Sequence, residues 1–195
     1  MRATVVIIHH AQVLVSPFVQ HFWATLLIWL DVNNDIYRLI TLFNSDESLK
    51  RFLVYTDRRP LEDYDVVNRK SLEEYGVTSI ADLDLRDKQI CRVPVLPANE
   101  EDGSLVVVTL ISGEKIFEAN SVVSTLAIDI FTPANQWIIN EGIRPLQIAH
   151  VINNLIQNKL NQTGGVKYRL TEFVNAQLSD VLCGYRLLFD SVIDD

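Results

Sequence analysis

The residues best suited to acid–base, nucleophilic or metal chemistry are four histidines, two cysteines and several groups of carboxylates. His9 and His10 are adjacent, so a β-strand would direct them to opposite faces, and the other two histidines are remote in sequence. Cys91 and Cys183 belong to no CxxC pattern, and neither has a histidine or cysteine at the spacing of metal ligands. These positions predict reduced thiols, no metal centre and no bound cofactor.

The carboxylates are an equally poor basis for catalysis. A catalytic pair needs burial to separate its two pKa values, whereas the neighbouring acids lie in polar stretches: Glu73-Glu74, Glu100-Glu101-Asp102 and Asp194-Asp195. Asp129 differs, because it stands alone inside an apolar stretch. Alternation places it with Thr125 on the less apolar face of a strand, which predicts a structural or interface role. With no phosphate-binding glycine loop and no GxSxG elbow, we predict that the chain is not an enzyme.

The overall charge argues against nucleic-acid binding. The 195-residue chain has a formal net charge of −8, and its lysines and arginines are scattered. A general nucleic-acid binder needs a cationic surface that displaces counterions from phosphate. Sustained binding of DNA is therefore not expected, although a weakly repelling surface that faces DNA stays open.

The first 32 residues predict an apolar strand or helix extension. Thr4–Ile8 is a β-branched run typical of a strand, and residues 11–30 have about the length of a membrane span. Five positions in that stretch are costly in hydrocarbon: Gln12, Ser16, Pro17, Gln20 and His21. A segment buried against the body or against a partner subunit is therefore expected, and a membrane anchor at 11–30 is the alternative.

Residues 33–195 predict a single α+β domain that begins with two helices. Asn33 or Asn34 can cap a helix running through Phe43, whose apolar residues fall at helical spacing. A polar turn at 45–48 precedes a second, shorter apolar stripe, which completes a helical hairpin. Residues 57–97 are polar and turn-rich, and they predict a long arm or loop within the domain that is suited to docking.

The second half predicts the order strand, strand, helix, strand, strand. The strands are expected at 105–111, 122–131, 166–174 and 185–192, and the helix at 144–160, with Pro145 in its first turn. Alternating apolar and polar residues in two of the strands are typical of an antiparallel sheet with one covered face. We therefore predict a four-stranded antiparallel sheet packed against the long helix.

Aromatic and arginine residues are the best candidates for contacts with other proteins. Tryptophan and arginine are enriched where proteins bind each other tightly. Trp137 is notable because it lies in a connector between strand and helix, where a core tryptophan is less expected. The predicted interface residues are Trp23, Trp29, Arg58, Arg59, Trp137 and Arg144.

Several stretches resemble the tail-terminator and head–tail joining proteins of tailed bacteriophages. In the second half these are IDIFTP, QWIINEG, IRPLQIAHVINNLI and LCGYRLLFDSVI, which follow one another in order. The earlier stretch NNDIYRLITLFNSDESLKRFLVYTDRRPLED is similar to the start of related phage structural proteins. The resemblance covers roughly 33–192.

The resemblance implies a virion structural protein of the neck or tail, made in the host cytoplasm. Such subunits form a ring, usually a hexamer, that caps the tail tube and joins it to the head connector. The implied partners are further copies of the chain, the tail-tube protein and connector proteins, while DNA passes through the lumen. An acidic channel would not hold the passing genome. The alternatives are another neck, connector or baseplate ring protein, or a membrane-attached accessory protein.

Overall fold

The structure, a computed structural model, describes residues 34–62, 72–92, 103–116, 121–162 and 167–192. The chain divides into two compact units, Met1–Asp35 and Ile36–Asp195, and the fold below is that of the second. The expected N-terminal strand, the apolar stretch 11–30, Trp23 and Trp29 all lie outside the described residues.

The predicted helical hairpin is present. Helix α1 covers residues 34–44, and α2 covers Glu47–Val54. Asp46 caps α2, because its carboxylate accepts a hydrogen bond from the backbone N–H of Leu49 at 3.0 Å. The apolar stripes of both helices are buried in the main core, which explains why the two elements could be recognised from their spacing.

Among the described residues, the remaining elements are seven strands, one long helix and several short helical turns. The strands are β1 Ile90–Cys91, β2 Leu105–Ile116, β3 Ser121–Pro133, β4 Ile138–Ile139, β5 Gly142–Ile143, β6 Lys167–Gln177 and β7 Leu182–Val192. Helix α3, Arg144–Leu155, lies between β5 and β6. The main sheet has the order β1-β2-β3-β7-β6, and β4 and β5 form a separate two-stranded hairpin.

The α+β class is confirmed, but the predicted four-stranded antiparallel sheet is wrong in detail. Strands β2, β3, β7 and β6 pair antiparallel, whereas β1 adds a fifth strand that pairs parallel with β2. The main sheet is therefore mixed. A two-residue strand is too short to show the alternation from which strands are predicted.

The longer of the two described parts of the predicted arm, residues 72–92, packs onto the domain instead of extending from it. Leu72, Ile80, Leu83 and Leu85 are buried in the main core, and β1 closes the segment. These apolar residues follow neither a helical nor a strand period. The prediction of an arm therefore rested only on the polar composition and the turn residues of the segment. A docking role for 57–97 stays a prediction.

Helix α3 covers one face of the sheet, where it contacts β3 and β7. Its buried residues include Ile148, Ile152 and Leu155. The predicted helix 144–160 is continuous, but its last five residues, Ile156–Leu160, form a π-helical turn. After that turn, the side chain of Asn161 exchanges two hydrogen bonds of 2.9 Å with the backbone of Tyr168 at the start of β6.

Candidate protein-interaction site

The connector between β3 and α3 is a tightly bonded structure of residues 134–143. A 3-10 turn, Ala134–Gln136, leads into the β4–β5 hairpin. The indole N–H of Trp137 donates to the carbonyl of Thr132 at 3.1 Å, and the Trp137 carbonyl accepts from the N–H of Arg144 at 2.8 Å. Trp137 is therefore held at both its side chain and its backbone.

Trp137 belongs to an aromatic cluster that spans three elements. Tyr185 of β7 stacks on Phe173 of β6, with ring centroids 4.6 Å apart, and lies 6.0 Å from the ring of Trp137. Phe173 is 43% exposed, and Ile138, next to Trp137, is 62% exposed. We call Trp137, Ile138, Phe173 and Tyr185 the aromatic surface. Exposed large apolar side chains held in place are typical of sites where another protein binds.

A buried arginine fixes the base of the connector. Arg144 is fully buried, and its guanidinium donates to the carbonyls of Gln136 at 3.0 Å and Phe52 at 3.1 Å. It also donates to the carbonyls of Tyr55 and Asp57. Phe52 and Tyr55 stand at the end of α2, where carbonyls lack helical partners and carry the negative end of the helix dipole. Arg144 thus joins the end of α2 to the connector.

The charged guanidinium of Arg144 is desolvated in the protein interior. Burial lowers the pKa of Arg144 to about 10, and the negative charges of Glu141 and Asp57 oppose that shift. The guanidinium remains ionised at neutral pH, because this pKa is still well above 7. Arg144, which the sequence predicted as an interface residue, lies in the interior and positions neighbouring residues that reach the surface.

A cleft of about 550 Å³ lies beside the connector, and we call it the arginine cleft. Its lining residues are Thr56, Asp57, Arg58, Arg59, Asn135 and Asn140. The carbonyl of Arg58 accepts from the N–H of Asn140 at 2.7 Å, which joins the two walls. Arg58 is exposed, whereas the guanidinium of Arg59 lies 3.9 Å from Asp57 and 3.7 Å from Glu62. The structure therefore places two of the predicted interface residues, Arg58 and Arg59, in one cleft beside the connector that contains Trp137. Two others, Trp23 and Trp29, lie outside the described residues.

The two edges of the main sheet differ. The β1 edge is closed by a turn, because Ile90 donates to the carbonyl of Leu85 at 2.9 Å and accepts from the N–H of Asp87 at 3.0 Å. At the other edge, β6 pairs only with β7 among the strands that the structure describes, and its residues 171–175 are all exposed. A long open edge exposes backbone groups that can pair with another strand.

Asp129 has a structural role in the sheet. It lies opposite Arg186 in the β3–β7 register, and the two form a bidentate ion pair at 2.6 and 2.8 Å. Asp129 is 6% exposed. The hydrogen bond to this carboxylate raises the pKa of Arg186. A buried acid satisfied in this way stabilises strand pairing and register.

The structure offers little for metal or thiol chemistry in the part of the chain it describes. No group of three histidine, cysteine, aspartate or glutamate side chains that could hold a metal ion occurs there. Cys91 and Cys183 are free thiols, and burial raises the pKa of Cys91, which disfavours its reactive thiolate. Within the same residues, no helix is both long and apolar enough to cross a membrane.

Sequence reasoning missed Phe173, Tyr185 and Ile138 as parts of the surface. A β-bulge between Leu170 and Glu172 shifts the alternation of β6, so Phe173 lies opposite Leu187, on the helix-covered face. Simple alternation from Leu170 would have placed it on the other face. The hydrophobic residues of β6 and β7 could be recognised from the sequence. The bulge that changes which face of the sheet they lie on could not.

A protein-family model described as YomW matches residues 46–191. This range is more than half of the chain, and it contains α2, α3, the aromatic surface and the arginine cleft. No curated protein and no solved structure matches the chain.

Proposed function

We propose that this chain, which belongs to the YomW family, is phage-derived and is a structural protein of a phage particle. Its role in the proposal is that of a tail-terminator ring subunit, which caps the tail tube and joins it to the head connector. The order of motifs from 33 to 192, which resembles tail-terminator and head–tail joining proteins, supports this role. A ring protein elsewhere in the neck or baseplate is the second candidate.

The aromatic surface is the observation that carries the proposal. Its side chains come from the connector, β6 and β7, and Trp137 is anchored by hydrogen bonds at both ends. Aromatic residues bury a large apolar area and lose little conformational freedom when they are already fixed. A subunit that works by permanent contact with copies of itself and with other virion proteins needs such a surface.

The test is assembly of the purified full chain, measured by native mass spectrometry and negative-stain electron microscopy with and without tail-tube protein from the same phage. We expect closed rings that bind one end of the tube. Replacing Phe173 and Ile138 by serine should reduce ring formation strongly and lower the melting temperature only slightly, through loss of the Phe173–Tyr185 stacking. Tyr37→Ser is a matched control, since Tyr37 is an exposed aromatic residue on α1.

A chain that stays monomeric at concentrations of tens of micromolar, with and without the tube protein, would contradict the proposal. Rings that ignore tube protein but bind a connector or baseplate protein would favour the second candidate. If Tyr37→Ser and the double serine variant reduce assembly equally, the aromatic surface does not carry the contact.

A further inference from the structure

We propose that the arginine cleft of one copy binds the acidic turn of a second copy, residues 72–76, through Glu73 and Glu74. This inference rests on the proposed ring assembly and specifies one of its contacts. Because the cleft and the turn are different patches, the contact is head-to-tail, and repeated contacts of this kind close into a ring when the rotation allows it.

The cleft is prepared for a carboxylate before any partner arrives. One wall is fixed by the hydrogen bond from Arg144 to the carbonyl of Asp57, and the other by the bond from Asn140 to the carbonyl of Arg58. Arg58 is exposed on the rim. A guanidinium can donate two parallel hydrogen bonds to a carboxylate, and the side-chain amides of the cleft add further donors. Little ordering of the backbone is then needed on binding.

The acidic turn is held in place by its flanking residues. Leu72 is buried in the main core, and the hydroxyl of Tyr75 is hydrogen-bonded to the side-chain oxygen of Gln89 at 3.0 Å. Gly76 ends the helical turn in a left-handed conformation, with φ of 71°, and its N–H donates to the carbonyl of Glu73 at 3.0 Å. Glu73 and Glu74 between these anchors are both exposed. The turn presents two adjacent carboxylates from a fixed backbone.

Charge explains why a second copy is the expected occupant. The chain carries a net charge of −8, and Arg58 is exposed and belongs to no ion pair among the described residues, so Arg58 is complementary to another copy's acidic surface. Several other carboxylates already have cationic partners within the chain, namely Asp57, Glu62, Asp84, Asp87 and Asp129. In the described part of the molecule no ion pair includes Glu73 or Glu74. Within the described ranges they are two adjacent, exposed acids available to a partner.

Charge reversal tests the contact in the full-length chain. Arg58→Glu alone and the double variant Glu73→Arg, Glu74→Arg alone should each raise the dissociation constant for self-assembly by about tenfold or more. An equimolar mixture of the two variant chains should restore assembly. In the mixture, every reversed cleft can meet a reversed turn, and every native cleft can meet a native turn. Arg92→Glu, a reversal at another exposed arginine, is the control for net charge.

The outcomes separate this inference from the proposed function. If the native chain forms rings but none of the reversals weakens them, the inference is wrong and the proposed function stands. If reversals weaken assembly and the mixture does not restore it, the cleft and the turn do not pair. If Arg58→Glu leaves assembly intact but weakens binding of a short DNA duplex, the cleft binds phosphate and not a second copy. Unchanged melting temperatures exclude loss of folding as the cause.

Discussion

The guanidinium of Arg144 donates a 3.1 Å hydrogen bond to the carbonyl of Phe52, which lies 92 residues earlier in the chain. This bond joins the first turn of α3 to the C-terminal end of α2. The same side chain holds the connector through Gln136 and the wall of the arginine cleft through Asp57. One buried cation therefore sets the relative positions of the helical hairpin, the connector and the cleft.

Replacing Arg144 should destabilise the fold strongly. Arg144→Leu leaves buried carbonyls without donors, and we expect a loss of about 4 kcal/mol in the free energy of unfolding. Arg144→Lys should lose about half as much, because an ammonium group offers its donors from one point and cannot reproduce the planar fork. Urea denaturation measures both values. Arg92→Leu, at an exposed position, is the control; a comparable loss there would contradict the explanation.

Two glycines should respond very differently to alanine. A Cβ at Gly184 would lie 2.0 Å from the carbonyl oxygen of Ile130 on β3, so backbone must move. Gly76 has a positive φ of 71°, but a Cβ there meets nothing within 4 Å. We expect Gly76→Ala to cost about 1 kcal/mol from the backbone conformation alone, and Gly184→Ala to cost about 3 kcal/mol or more. Thermal unfolding of the two variants measures which one loses more stability. Equal losses for Gly76→Ala and Gly184→Ala would contradict the prediction.

Removing Arg186 and removing Asp129 from their ion pair should lower the free energy of unfolding by different amounts. Asp129 is 6% exposed, whereas the side chain of Arg186 is 43% exposed. Arg186→Leu leaves a buried carboxylate without its partner, so we expect a loss of about 2 kcal/mol in the free energy of unfolding. Asp129→Asn leaves an arginine that water can solvate, and we expect about 1 kcal/mol. A double-mutant cycle in urea measures the coupling, and a larger loss for Asp129→Asn would reverse the expected order.

The pair of Asp84 and Arg86 predicts a pH dependence at the acid end. Hydrogen bonds from Arg86 lower the pKa of Asp84 from 3.8 to about 2. Because the folded-state pKa lies below the ordinary value, the ionised pair stabilises the fold above about pH 4, and this contribution is lost as the pH falls through about 2. Asp84→Asn should therefore lower the melting temperature slightly at pH 7 and much less near pH 2. Asp180→Asn is a control at another exposed aspartate; a difference that grows in acid would contradict the prediction.

The edge of β6 that no described strand covers should make the isolated subunit prone to aggregation. Val174 of β6 is 37% exposed and Val181, in the turn before β7, is 42% exposed. A lysine on an edge strand opposes pairing with another strand, so Val174→Lys should slow aggregation on heating, as measured by light scattering. Val181→Lys adds the same charge away from the edge and should have a smaller effect. Equal effects would point to net charge as the cause.

The helices and the long strands could be predicted from the sequence because each has a clear local period. The stripe of α3 and its Pro145 mark both the element and its start, and Asp46 caps α2 in a way that a sequence can show. Asp129 stood out as a lone acid in an apolar strand, and the structure gives it a structural role. These features depend on residues that are close together in the chain.

What could not be predicted depends on contacts distant in sequence or on local breaks in a period. Arg144 was predicted as an interface residue because arginine is enriched where proteins bind each other tightly. It is instead buried, and its guanidinium donates to backbone carbonyls up to 92 residues earlier in the chain. The bulge in β6 changes the face on which Phe173 lies. Strand β1 has only two residues, and its pairing with β2 is visible only in the folded sheet.

The π-helical turn at Ile156–Leu160 makes the end of the helix tolerant of a change in length. Such a turn holds one residue more than an α-helical turn over the same rise. Asn161 follows it directly and fastens the helix to Tyr168. Removing one residue between 155 and 161 should therefore restore an ordinary α-helical end that keeps this asparagine beside Tyr168.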